Sequence, residues 1–193
     1  MDIKDKIIAT ATDLFMKHGY RGTSTRQIAN LLKITQPAIY HHFKNKEVIY
    51  EAVLLKFAVD VGVVLNTIAS EDKSKQEILT NMALFLKKHH PINFSLMMND
   101  IHNELSKETE MNIFIIWKEN YFAPFIHYFD SIRNYLHQDL DAQTVSMHFL
   151  RVLSAYIMDN DSTEVIQSIF LEDMVHIFLR GITRQDSYSA LLK

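Results

Sequence analysis

Only seven residues in this chain of 193 break helices by nature: four glycines and three prolines. Strands joined by tight turns need far more of both, because a reversing turn calls for a positive φ or for proline's preset one. The chain therefore reads as all-α, with long segments and few joints. Apolar residues make up 48%, enough to bury a core in one or two domains. No cysteine is present, which removes disulfide frameworks and thiolate metal sites and fits a reducing cytoplasm. The opening "MDIKDKIIATATDLF" mixes acids into its apolar positions and reads as no signal peptide. No run of about 18 apolar residues predicts a membrane span.

The first fifty residues are the most sharply punctuated. Ile7, Ile8, Ala11, Leu14 and Phe15 share one face of a helix over roughly residues 3–18, which Gly19 stops. Ser24 or Thr25 can cap a second helix, roughly 25–32, that buries Ile28, Ala29, Leu31 and Leu32. Thr35 caps a third, with Pro37 in its first turn, where no N–H is missed. Three short helices, the last two joined by a three-residue turn, make a helix-turn-helix unit. In units of that shape the second helix of the pair enters the DNA major groove.

Charge agrees with that placement. Residues 1–50 hold eight Lys/Arg and four Asp/Glu, a balance of +4, and the remaining 143 residues stand at −7. A basic head on an acidic body suits a polyanion. On the third helix Pro37 and Ala38 are small enough for backbone and base edges to approach. Gln36 can both donate and accept at a base edge. Tyr40, His41, His42, Lys44 and Lys46 supply donors within reach of phosphate oxygens. The plainer reading of the same helix is a solvated surface with a satisfied histidine pair.

The stretch "LFMKHGYRGTSTRQIANLLKITQPAIYHHFKNKEVIYEAV" resembles the DNA-binding domain of the TetR family of bacterial transcriptional regulators. The resemblance rests on Phe15 and Gly19, the Thr/Ser cluster at 23–25, and the Ile28–Ala29 pair. It rests also on Ile39–Tyr40, His42–Phe43 and Lys46–Glu47. It covers about a quarter of the chain. Two positions depart from the family pattern. Lys33 stands where glycine is common, so the turn is expected to do without an easy positive φ. Pro37 also replaces a common glycine. The resemblance implies that Ser24 or Thr25, Tyr40, His42 and Lys46 hold the phosphate backbone. It implies that Gln36, Pro37, Ala38 and His41 face bases, and that Arg26 reaches either.

Beyond residue 47 the pattern predicts a long connecting helix and then a helix opened by a Ser74–Glu77 capping box. Helices follow over roughly 93–104, 107–137, 141–158 and 163–180. Pro124 is expected to bend the second of these, and Gly181 to end the last, leaving a loosely held tail. An aromatic and methionine stripe stands out: Phe85, Phe94, Met97, Met98, Trp117, Tyr121 and Phe125. Ordinary core packing explains such a stripe. A pocket for an apolar or aromatic small molecule explains it too, since thioethers and flat rings adapt to such ligands. The resemblance favours the pocket, because the family's C-terminal domain holds an effector.

Phe149, Val152, Tyr156, Ile166, Ile169, Phe170 and Ile177 form apolar stripes on the last two helices. In relatives that helix pair packs against its copy. Two heads about one helical turn apart read a palindrome. The adjacent histidine pairs lack the i, i+4 spacing of helical metal ligands, and no cofactor or catalytic motif is present. The expectation is thus a homodimeric, ligand-responsive regulator, not an enzyme. Residues 1–47 would bind DNA, and 48–193 would bind the effector and dimerise. It would be a repressor that releases a palindromic operator when its effector binds. The alternatives are an all-helical enzyme or carrier, and a DNA-binding protein with no ligand switch.

Overall fold

A computed structural model describes residues 2–89, 94–158, 164–185 and 187–192; inside the helices, the side chains of 94–96, 158 and 164–169 lie outside the described set. The described residues are helical, as expected, and their one strand-like feature is an antiparallel bridge between Leu136 and Thr183. The helices are α1 (Ile3–His18), α2 (Thr25–Leu32), α3 (Gln36–His42), α4 (Lys46–Ala69) and α5 (Lys75–His89). They continue with α6 (Phe94–Glu104), α7 (Lys107–Trp117), α8 (Ala123–Ser131), α9 (Ala142–Met158) and α10 (Glu164–Ile182). A π-helical turn, Lys118–Phe122, separates α7 from α8, and 3-10 turns occupy Arg133–Tyr135 and Tyr188–Leu192. None of these helices is long and apolar enough to cross a membrane.

The chain forms two compact units. The first contains residues 1–60 and 91–119. Asp2 opens α1 by accepting the Asp5 N–H at 2.8 Å. Gly19 closes it at φ 71°, ψ 178°, a backbone state open almost only to glycine. Ile7, Ala11 and Phe15 from α1 meet Ile28 and Ala29 from α2 and Ile39 of α3, all nearly inaccessible. Phe43, Ile49 and Tyr50 complete that core, with the Tyr50 ring edge-on to Phe15 at 4.8 Å. Each large side chain so buried contributes about 1.5–3 kcal/mol against leaving it in water. Lys33 corrects the expectation for the turn. It adopts φ 55°, ψ 40°, and its N–H caps the Ala29 and Asn30 carbonyls. The turn therefore uses a left-handed residue although no glycine is present.

The second unit contains residues 61–90 and 120–193. Phe125, Phe129, Phe149 and Phe178 form its ring cluster, with centroids 5.2–6.1 Å apart. Three expectations are corrected here. The stretch predicted as one bent helix over 107–137 is interrupted instead. The π turn precedes Pro124, which sits in the first turn of α8, where its missing N–H is tolerated. Gly181 does not end α10, which continues through Ile182. The C-terminal tail is also docked: Leu191 is fully buried, and the Tyr188 hydroxyl donates to Gln76 Oε1 at 2.6 Å. The expected stop at His90 and Pro91 lies outside the described residues.

Candidate nucleic-acid interface

The pair α2 and α3 is built by local chemistry. Ser24 and Gln27 form a capping box: the Ser24 hydroxyl accepts the Gln27 N–H at 3.2 Å, and Gln27 Oε1 accepts the Ser24 N–H at 2.7 Å. Thr35 opens α3, and the Phe43 N–H closes it on the Ile39 carbonyl. Burial of Ile39 and Phe43 turns the opposite side of α3 outward. Pro37, Tyr40, His41 and His42 of α3 are exposed, as are Lys44 just beyond it and Arg26 on α2.

Some of the polar residues predicted to touch DNA already have partners. Gln36 Nε2 donates to Thr25 Oγ1 at 2.8 Å, and that hydroxyl lies 3.2 Å from the Tyr40 hydroxyl. Thr25 is 5% exposed. Gln36, Thr25 and Tyr40 thus tie α3 to the start of α2 and hold α3 in one attitude. The Ser24 side chain serves the α2 cap. Ala38 is half-buried. Lys46 departs furthest from a free phosphate ligand. Its ammonium donates to the Tyr20 carbonyl at 2.8 Å and the Thr23 carbonyl at 3.1 Å, and lies 3.9 Å from the Tyr20 ring centroid. Lys46 therefore staples the loop between α1 and α2. Desolvation lowers its pKa, against the pull of Asp100 and Glu104.

Sequence reasoning missed the support behind the head. Asp100, 3% exposed, accepts the Tyr20 N–H at 2.7 Å. Glu104 accepts Arg21 Nε at 2.6 Å. Glu47 accepts the Ser106 N–H at 2.7 Å. A signal for the first pair exists in the sequence. Met97, Asp100, Ile101 and Glu104 fall at i, i+3, i+4 and i+7, so two acids stand within one helical stripe.

An exposed short helix, locked at its first turn and carried on a cation-bearing head, has the geometry that presents side chains to a groove. Residues 7–53 match the model for bacterial regulatory proteins of the tetR family. Residues 7–53 belong to the TetR family. This TetR-family head is 41% identical over 54 residues to the HTH-type transcriptional regulator QacR of Staphylococcus aureus strain Mu50. That match covers 28% of this chain and 29% of QacR. It is 45% identical over 49 residues to the biofilm operon negative transcriptional regulator IcaR of Staphylococcus aureus strain Newman, covering 25% of this chain and 26% of IcaR. The likeness thus spans less than a third of these relatives' length. Over the whole chain, the crystal structure of a TetR/AcrR-family transcriptional regulator from Thermobifida fusca superposes with a TM-score of 0.68. It is 22% identical and covers 95% of this chain and 100% of that one, a likeness of fold.

The residues predicted to line an effector pocket divide between the two units. In the first, Met97 and Trp117 are buried and Met98 is exposed; the Trp117 ring lies 6.2 Å from that of Phe57. In the second, Phe125 is fully buried and Tyr121 nearly so, while a half-buried Phe85 lies 4.5 Å from the His89 ring. The Phe94 side chain lies outside the described set. Among the predicted interface residues, Phe149 needs correction: it is fully buried in the ring cluster of the second unit. Val152, Phe170 and Ile177 are 40%, 50% and 69% exposed. Tyr156 is half-buried, and its carbonyl accepts from Lys87 Nζ at 2.6 Å. The side chains of Ile166 and Ile169 lie outside the described set.

Proposed function

We propose that this protein is a DNA-binding transcriptional regulator that works as a homodimer and responds to a small molecule. The observation that carries the reading is the TetR-family head with its exposed, internally braced recognition helix. Residues 1–47 act on DNA, and 48–193 bind the effector and the second subunit. The sign of regulation is repression, the role that IcaR's name states for that relative. Arg26, Tyr40, His41, His42 and Lys44 reach phosphates and base edges from the exposed face. Gln36 reads a base while held by Thr25. Two copies pair through the exposed faces of α9 and α10, which include Val152, Phe170 and Ile177, and so present two heads to a palindrome.

The switch is a two-state one. A small apolar or aromatic effector near Met97 and Trp117 shifts α6, and Asp100 and Glu104 carry that shift to Tyr20 and Arg21 at the head.

The test is a binding selection of the full chain against fragmented genomic DNA, at about 150 mM salt with excess random competitor. Recovery of a palindrome is expected. Recovery of no preferred sequence, with binding lost at modest salt, would remove the operator-reading claim.

A further inference from the structure

Another candidate site lies in the second unit, at the join between its helices. The bridge between Leu136 and Thr183 pins the segment after α8 to the end of α10. Two backbone bonds hold it, His137 N–H to the Ile182 carbonyl and Arg184 N–H to the Tyr135 carbonyl, both at 3.0 Å. Beside the bridge is a cavity of about 270 Å³, bounded by Arg133, Asn134, Leu136, His137, Gln138, Leu140 and Arg184.

Its chemistry is one-sided. Two guanidiniums supply donors only, the two amides and the imidazole can add more, and none of the described lining residues is an acid. The Arg184 guanidinium donates to the Asn134 carbonyl, so its orientation is set by the fold. The carboxylate near Arg133 is that of Asp130, 3.8 Å away, with both side chains mostly exposed. That pair is loose and screened, and yields to a better-placed anion. Leu140, half-buried, adds a small apolar edge to the same cavity, and Leu136 is buried beneath it.

We infer that this notch binds the carboxylate of a small organic acid, with Arg133 and Arg184 on the oxygens and a short apolar chain against Leu140. Guanidinium suits the task, because its planar fork matches a carboxylate in a bidentate way. The volume sits at the lower end of ligand sites, which limits the acid to a few carbons.

The experiment is a titration of the full-length protein with butanoate, followed by backbone amide shifts, with inorganic phosphate and butylammonium as comparison probes. Butanoate is expected to saturate at millimolar concentration and to move the amides of 133–140 and 182–184. Arg133→Gln is expected to weaken it at least tenfold and Arg133→Lys about threefold. Neither should change the melting temperature, because Arg133 is exposed and only loosely paired. Arg184→Lys is expected to weaken it as well, with its fold checked by the same melt. Butylammonium should move nothing. Non-saturating shifts, equal saturation by phosphate and butanoate, or undiminished butanoate binding in Arg133→Gln would each overturn the proposal.

Discussion

At the scale of single residues, two lysines separate stability from DNA contact. The Lys46 ammonium already bonds the Tyr20 and Thr23 carbonyls, whereas Lys44, just past α3, is exposed and is proposed to meet DNA. Lys46→Ala is expected to destabilise the fold by about 1–3 kcal/mol, the cost of carbonyls left unpaired, and to leave the salt dependence of DNA binding unchanged. Lys44→Ala should do the reverse, lowering the slope of log K against log salt by about one. Thermal melts and binding at several salt concentrations measure both; a lower slope for Lys46→Ala would return it to the phosphate contacts. Lys33 is the other informative residue. Its left-handed backbone costs about 1–2 kcal/mol that glycine avoids. Lys33→Gly should therefore raise the melting temperature by a few degrees, and an unchanged or lower value would argue against that strain.

At the scale of helices, glycine meaning depends on what lies opposite. Gly62 on α4 faces the π turn before α8: a Cβ added there would lie 2.4 Å from the Asn120 carbonyl oxygen. That neighbour is backbone and cannot step aside as a flexible side chain does. Gly181, in the last turn of α10, has open space on that side, with no atom of another described segment within 4 Å of where a methyl would stand. Gly62→Ala is expected to destabilise by roughly 1–3 kcal/mol through overpacking. Gly181→Ala should stabilise by about 0.5–1 kcal/mol through helix propensity. Chemical denaturation of the two variants tests the pair, and equal effects would mean that the α4 crossing is looser than the distance implies. Both glycines are plain in the sequence. Neither role is, because the approach of α4 to the π turn joins segments about sixty residues apart.

For the whole molecule, Phe170 and Ile177 stand seven residues apart on one face of α10, both exposed. Placing a carboxylate there by Ile177→Asp should weaken subunit association by roughly 30-fold or more, from lost apolar burial of about 2 kcal/mol or above. Helix content should not change. Sedimentation over a range of concentrations reads the first and circular dichroism the second; an intact dimer would move the interface elsewhere. Alkaline pH probes the rest of the fold. Burial raises the phenol pKa of Tyr20, Tyr50, Tyr121, Tyr128 and Tyr188. Each group keeps its proton in the folded state after the unfolded chain has lost it. Their stabilisation is present below about pH 10 and is lost as pH rises above it. Lys46, with its pKa lowered, works in the opposite sense but is one group against five. The melting temperature should hold from pH 8 to about 9.5 and fall beyond 10, with the phenolate absorbance of these five tyrosines rising only on unfolding; equal melts at pH 8 and 11 would contradict this. By itself the sequence determined the helices of the head, the cap residue Thr35, a cap at Ser24 or Thr25, and the burial of Ile28 and Ala29. Those follow from spacing and from bonds three or four residues long. Only the tertiary structure decided that Lys46 turns inward, that Thr25 braces Gln36, that Asp100 and Glu104 support the head, and that Phe149 belongs to the core of the second unit. The reason is physical. A stripe at helical spacing says that one face is apolar or charged, and it carries no information about which distant segment covers that face.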